Sequence, residues 1–131
     1  MAGIKDLDKL IKGMKPELVD NEFVFSTISE IQFKRFKLNH LMIFKETEGI
    51  TVITERKIAE ANSLPYSNVW KLITLTVYSD LLAVGFLARI TDNLAKAGIS
   101  VNVVSAYYHD HLFVPMGLEE KAMEVLDGLS K

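Results

Sequence analysis

The sequence predicts an α+β protein of two ferredoxin-like (βαββαβ) halves that interlock, with antiparallel sheets and helices on one face. Three observations carry that expectation. The second half reads strand, helix, strand, strand, helix, which is a ferredoxin-like unit short of its last strand. The first half reads strand, irregular link, strand, strand, helix, so the halves form one degenerate repeat of about 65 residues. With 131 residues, 49% of them apolar, the chain cannot give each half a large core of its own. The missing strand therefore has to be supplied by a shared sheet or an exchanged segment. The expected division is an N-terminal half, 1–67, and a C-terminal half, 68–131. Charge draws no sharper line, since residues 1–70 carry ten basic and ten acidic side chains and residues 71–131 carry five and seven.

The elements follow in order. Leu7, Leu10, Ile11 and Met14 fall on one helical face, and Pro16 ends that helix. Asn21 to Ile28 has the aromatic and β-branched content of a strand after the turn-forming Asp20-Asn21. From Glu30 to Asn39 the apolar residues Ile31, Phe33, Phe36 and Leu38 fit neither period, so a loop or a short irregular strand is expected. His40 to Lys45 and Ile50 to Thr54 read as a hairpin joined by Glu46-Thr47-Glu48-Gly49, with a Gly able to take positive φ. Glu55 to Ser63 reads as a short helix stopped before Pro65. Trp70 to Tyr78 is a strand, and Ser79-Asp80 offers N-caps for a helix from Leu81 to Ala97 that stops at Gly98. Ile99 to Tyr107 and His111 to Val114 are strands meeting at Tyr108-His109-Asp110, and Leu118 to Leu129 is a closing amphipathic helix.

Composition excludes several function classes. Fifteen Lys and Arg against seventeen Asp and Glu, a net charge of -2, give no general attraction to nucleic acid or to an acidic membrane surface. The chain has no cysteine, hence no disulfide framework, thiolate metal site or cysteine nucleophile. The start, Met1-Ala2-Gly3-Ile4-Lys5-Asp6-Leu7-Asp8, lacks the apolar core of a signal peptide, and no run of about 18 apolar residues occurs. A cytoplasmic protein is expected.

Signals of chemistry converge on Tyr78-Ser79-Asp80-Leu81-Leu82-Ala83-Val84-Gly85-Phe86, a strand end turning into a helix start. Such a turn presents unpaired backbone N–H groups and the positive end of the helix dipole, which together hold a carboxylate or phosphate. A Gly within the first helical turns costs about 1 kcal/mol relative to Ala. Gly85 therefore marks a close approach, by a ligand or by a neighbouring backbone. Asn102 and Ser105 are the polar residues of an otherwise apolar strand; Asn102 can read an amino or amide group or cap a buried backbone group. His109-Asp110-His111 admits a metal reading, because His at i and i+2 of a strand share a face. A turn at these residues would splay the two rings, however, and His40 is the only further His. A Ser105, His109, Asp110 triad lacks a Gly-x-Ser-x-Gly elbow. Phe33-Lys34-Arg35-Phe36-Lys37 mixes stacking and phosphate-binding residues, but on a slightly acidic chain reads as a solvated edge.

Leu72 to Val77, Leu82 to Ala88, Gly98 to Ser105 and Tyr107-Tyr108-His109-Asp110-His111-Leu112-Phe113-Val114 together resemble small bacterial proteins made of paired ACT domains. These are related to the regulatory portion of aspartate kinases and to the cytosolic arginine sensor of animal cells. Lys15-Pro16-Glu17-Leu18, Phe23-Val24-Phe25 and Glu46 to Ile53 are similar to the N-terminal half of the same proteins. The resemblance implies a non-catalytic regulatory protein without a cofactor or metal, binding a free amino acid or similar metabolite between ACT units. It implies ligand contacts at Ser79, Asp80, Leu81, Val84 and Gly85 in the strand-to-helix loop, and at Asn102 and Ser105 on the next strand. It also implies a homodimer formed by side-by-side pairing of sheet edges. The first half, read without a helix between its first two strands, receives no site residues.

Overall fold

A computed structural model describes residues 3–35, 37 and 39–131. Its elements are α1 (Leu7–Gly13), β1 (Pro16–Ile28), α2 (Glu30–Arg35), β2 (Met42–Lys45), β3 (Ile50–Glu55), α3 (Arg56–Ala61), β4 (Trp70–Leu75), α4 (Phe86–Lys96), β5 (Asn102–Ser105), β6 (Asp110–Pro115) and α5 (Glu119–Leu129). The strands are hydrogen-bonded in the order β2-β3-β1-β4-β6-β5. The α+β class and the ferredoxin-like halves of the sequence reading are what the chain adopts. It forms two compact units: one joins the chain up to Asp20 with Lys71–Lys131, the other is Asn21–Trp70.

In the first unit the order β1-β4-β6-β5 is that of a ferredoxin-like sheet, with the start of β1 in the place of the absent fourth strand. Thr76 N–H donates to the Met14 carbonyl at 2.8 Å and Thr76 Oγ1 to the Lys15 carbonyl at 2.8 Å, pinning that segment beside β4. The core is assembled from one face of each element: Leu10 and Met14 of α1, Ile73 and Leu75 of β4, Phe86, Ile90 and Leu94 of α4, Leu112 and Val114 of β6, Ala122 and Leu126 of α5. The α4 residues recur at i, i+4 and i+8 and are all buried, the signature of one helical stripe. In β6 the pairs Ser105↔Asp110 and Asn102↔Phe113 set its antiparallel register with β5.

In the second unit β3 pairs antiparallel with β1, from Phe23↔Glu55 to Ile28↔Ile50, and with β2, from Met42↔Ile53 to Lys45↔Ile50. Val24, Ile28, Ile50, Val52, Ala59 and Leu64 form its small core.

Several elements depart from the sequence reading. The link after β1 is helical over Glu30–Arg35. Ser29 N–H donates to Gln32 Oε1 at 2.9 Å and Gln32 N–H to Ser29 Oγ at 3.1 Å, a reciprocal capping box that starts a helix without any buried residue. Phe36 and Leu38 of that stretch, like Met1 and Ala2 at the start, lie outside the described residues. Pro16 opens the long strand β1 rather than merely closing α1. Gly49 does not take positive φ; it is needed because a Cβ there would meet Thr27 Oγ1 at 2.9 Å and the Ile28 carbonyl oxygen at 3.3 Å. Helix α4 begins at Phe86, five residues later than the pattern indicates, and β5 is confined to Asn102–Ser105. Among the described residues no helix is long and apolar enough to cross a membrane.

Candidate functional site

The loop from the end of β4 to Gly85 is held on both flanks. On one side the N-terminal segment lies along it: Ile4 N–H donates to the Tyr78 carbonyl at 2.8 Å and Asp80 N–H to the Ile4 carbonyl at 2.9 Å, in a parallel bridge with Ser79. This approach is close enough to require glycine at position 3, where a Cβ would lie 2.6 Å from the Asp80 nitrogen and 2.7 Å from the Ser79 carbonyl carbon. On the other side Ser79 Oγ donates to Asp110 Oδ2 at 2.8 Å, and the two residues are only 7% and 6% exposed. A hydroxyl bound to a buried carboxylate is a strong hydrogen bond, and it ties the loop to the first residue of β6.

Asp80 then turns the chain. Its Oδ1 accepts from Leu82 N–H at 2.8 Å and its carbonyl from Ala83 N–H at 2.9 Å. That local turn is the reason Ser79 and Asp80 do not cap α4 as the sequence suggests: their side chains are committed elsewhere and five further residues intervene. The N-cap is Gly85, in the left-handed region at φ 88° and without a side chain to accept a hydrogen bond. A Cβ at Gly85 would lie 3.7 Å from Leu7 Cδ2, an ordinary contact. Backbone conformation, not the close approach anticipated from the sequence, accounts for the glycine. Because the first intrahelical bond runs from Arg89 N–H to the Gly85 carbonyl at 3.0 Å, the N–H groups of Phe86, Leu87 and Ala88 precede it, and the N-cap glycine has no side chain to accept from them.

Two hollows adjoin this loop, and Asp80 and Leu81 wall both. The smaller, about 50 Å³, lies at the helix start between Ser79, Phe86, Leu87, Ser105 and Asp110. The larger, about 120 Å³, is lined further by Gly3, Tyr78 and Tyr107. Partial burial pushes the Tyr78 phenol up from its ordinary range, and the neighbouring Tyr107, Tyr108 and Asp80 act in the same direction. The structure thus brings Ser79, Asp80, Leu81 and Ser105 together. Gly85 sits at the helix start, Val84 projects into solvent at 84% exposure, and Asn102 stands exposed at the end of β5 away from Ser105. Asp110, Tyr78, Tyr107 and Gly3 are the site residues that sequence reasoning did not assign. A carboxylate opening a strand directly across from Ser105 was a readable signal; Gly3 had none, because its role depends on contacts with residues far along the chain.

The histidines form a separate feature. His111 Nδ1 and Thr74 Oγ1 lie 3.0 Å apart, and His109 Nδ1 donates to the Val77 carbonyl at 3.3 Å. The two rings do not splay as expected from the turn; their centroids are 6.5 Å apart, edge to face. Burial, with His109 second, pushes His111 below its ordinary value of 6.5, against a smaller opposing influence of Asp110. Among the described residues no group of three or more His, Cys, Asp or Glu is placed to hold a metal ion.

Comparison with known proteins agrees with this architecture. Two family models, both described as ACT domain, match residues 2–71 and residues 70–127. No curated protein matches the chain. Among solved structures, a protein of unknown function from Vibrio cholerae, described as a possible transport protein, is 38% identical with a TM-score of 0.86, covering 99% of this chain and 100% of its own. A protein from Agrobacterium tumefaciens is 15% identical with a TM-score of 0.72, covering 88% of this chain and 87% of its own. The regulatory subunit of aspartate kinase from Thermus thermophilus, in its ligand-free form, is 10% identical with a TM-score of 0.69, covering 92% and 99%.

Proposed function

Since the chain belongs to the ACT domain family, we propose that it is a non-catalytic regulatory protein of the cytoplasm that binds a free amino acid at the start of α4. The observation carrying this reading is an uncapped helix N-terminus opening into a hollow that also contains a buried carboxylate. The ligand carboxylate sits against the N–H groups of Phe86, Leu87 and Ala88, where the helix dipole adds to their hydrogen bonds. Its α-ammonium faces Asp110, whose charge is already shared with Ser79. One element thus reads the anionic end of an amino acid and another its cationic end. Free phosphate or a simple carboxylate satisfies only the first.

The small hollow, about 50 Å³, is well below the roughly 150 Å³ of a cavity that encloses benzene, so it takes only the ligand's head. The remainder extends past Leu81, where Leu81, Leu82 and Val84 are 65%, 75% and 84% exposed. A second copy covering this apolar rim completes the site, and Asn102, on the edge strand β5, contributes from that interface. Binding then shifts self-association by linkage, because only the associated form offers both surfaces.

Thermal denaturation of the full chain with each of the twenty amino acids tests this, alongside sedimentation. A ligand present at one hundred times its Kd stabilises by about 2.7 kcal/mol, a shift far above noise. No shift with any amino acid, together with an unchanged sedimentation profile, refutes the reading.

A further inference from the structure

The second unit ends in an open strand edge. β2 closes the strand order, so among the described residues no strand is paired with its outer side. The bond from Glu46 N–H to the Gly49 carbonyl sets the ladder with β3, and by its alternation the N–H and C=O groups of Ile43 and Lys45 point outward. Ile43 packs on the small core, so Lys45 shares that face, while Phe44, 61% exposed, stands on the opposite one. Beside this edge the charge is of one sign. Lys34, Arg35, Lys37 and Lys45 are the only charged residues between 31 and 45, in a chain whose net charge is -2. All four are exposed, and none joins an ion pair among the described residues. Helix α2 adjoins the edge: Phe33 packs on the same core as Ile43, and its ring centroid lies 6.0 Å from that of His40. With six residues and none of them buried, α2 has little of its own to hold it in water, and Ile31 is 67% exposed.

We propose that β2 and α2 form a docking surface for an extended acidic segment of a partner protein, which adds a strand to the β2 edge. The outward backbone groups of Ile43 and Lys45 pair with it, and its successive side chains fall on two faces. Acidic ones lie toward Lys45 and the cations of α2, and apolar ones lie against Phe44, so the segment alternates the two kinds. A second copy of the chain fits this edge poorly, because a symmetric pairing of β2 with itself sets the four cations against their own kind. A lipid surface fits poorly too, since it leaves the outward backbone groups unpaired. Moreover Lys34 and Arg35 follow Ile31 at i+3 and i+4 and share its face. That leaves α2 without the separate apolar face of a membrane-surface helix.

Fluorescence anisotropy of a labelled, end-blocked peptide of alternating Glu and Val, titrated with the full chain, tests the surface. The comparison probes are the corresponding Lys-Val peptide, the Glu-Val peptide N-methylated at every second residue in either register, and phosphatidylserine vesicles. The Glu-Val peptide should bind roughly tenfold or more tightly than the Lys-Val peptide, with an affinity that falls as salt is added. N-methylation in one of the two registers should abolish binding, because it removes the donors that face β2 while leaving every charge in place. The double variant Lys34→Glu and Arg35→Glu, at exposed positions, should keep the parental Tm and weaken the peptide roughly tenfold; Phe44→Ser should weaken it severalfold. No binding of the Glu-Val peptide, equal binding of the acidic and basic peptides, or indifference to N-methylation in both registers overturns the proposal. Binding of the vesicles but not of the peptide overturns it in favour of a lipid surface.

Discussion

Alanine at position 3 would place a methyl group 2.6 Å from the Asp80 nitrogen, 2.7 Å from the Ser79 carbonyl carbon and 3.0 Å from the Asp80 Cα. All three are backbone atoms, so no flexible side chain can swing aside. Either the loop moves or the N-terminal segment lifts away. Lifting it breaks the Ile4 N–H bond to Tyr78 and the Asp80 N–H bond to Ile4. At about 1 kcal/mol net for each, Gly3→Ala should cost about 2 kcal/mol. For a chain of this size that corresponds to a fall in Tm of roughly 6–10 °C, read by calorimetry or by the urea midpoint. The same variant frees the Asp80 amide and loosens the wall shared by the two hollows, so ligand affinity should fall with stability. Gly128→Ala is the control of opposite sign: nothing lies within 4 Å of its Cβ and it sits in α5, so removing glycine from a helix should raise stability by up to about 1 kcal/mol. A Gly3→Ala protein with parental Tm and parental affinity would refute the idea that the N-terminal segment braces the loop.

Ser79→Ala leaves the buried Asp110 carboxylate without its hydroxyl donor, and equilibrium unfolding should show a loss of about 2 kcal/mol. Gly85→Ala forces a Cβ residue to φ 88° and should cost about 1–2 kcal/mol, with amino-acid affinity falling further because the N–H groups of α4 are re-aimed. His111 titrates below its ordinary 6.5 in the fold because burial disfavours the imidazolium. Its contribution to stability is therefore complete above about pH 6.5 and is lost as the pH falls from there through the lowered folded value. His111→Gln should flatten the decline in urea midpoint between about pH 7.5 and about pH 5.5, and an unchanged pH slope would count against that assignment.

Much of the second half was legible because its signals are local. The apolar Ile90 and Leu94 lie within one helix, and the run Leu112 to Val114 lies within one strand. The start of α4 was misplaced because Ser79 and Asp80 are strong capping types, and only their actual partners, Asp110 and the Leu82 N–H, reveal that they are engaged. Helix α2 was missed for a different reason. Its capping box at Ser29 and Gln32 is readable in the sequence, but it buries no residue, so no apolar stripe announces it.

The sequence by itself determined the alternation of strands and helices, since burial patterns and turn residues act over a few positions, and its motifs carried the family resemblance. Tertiary structure decided what surrounds the loop between β4 and α4. The convergence of Gly3, Ser79, Tyr107 and Asp110 joins residues up to about a hundred positions apart, and the start of β1 occupies the sheet position that the second half leaves open. Contacts between residues so distant in sequence depend on packing and close backbone approach, and neither leaves a periodic trace in the order of the amino acids.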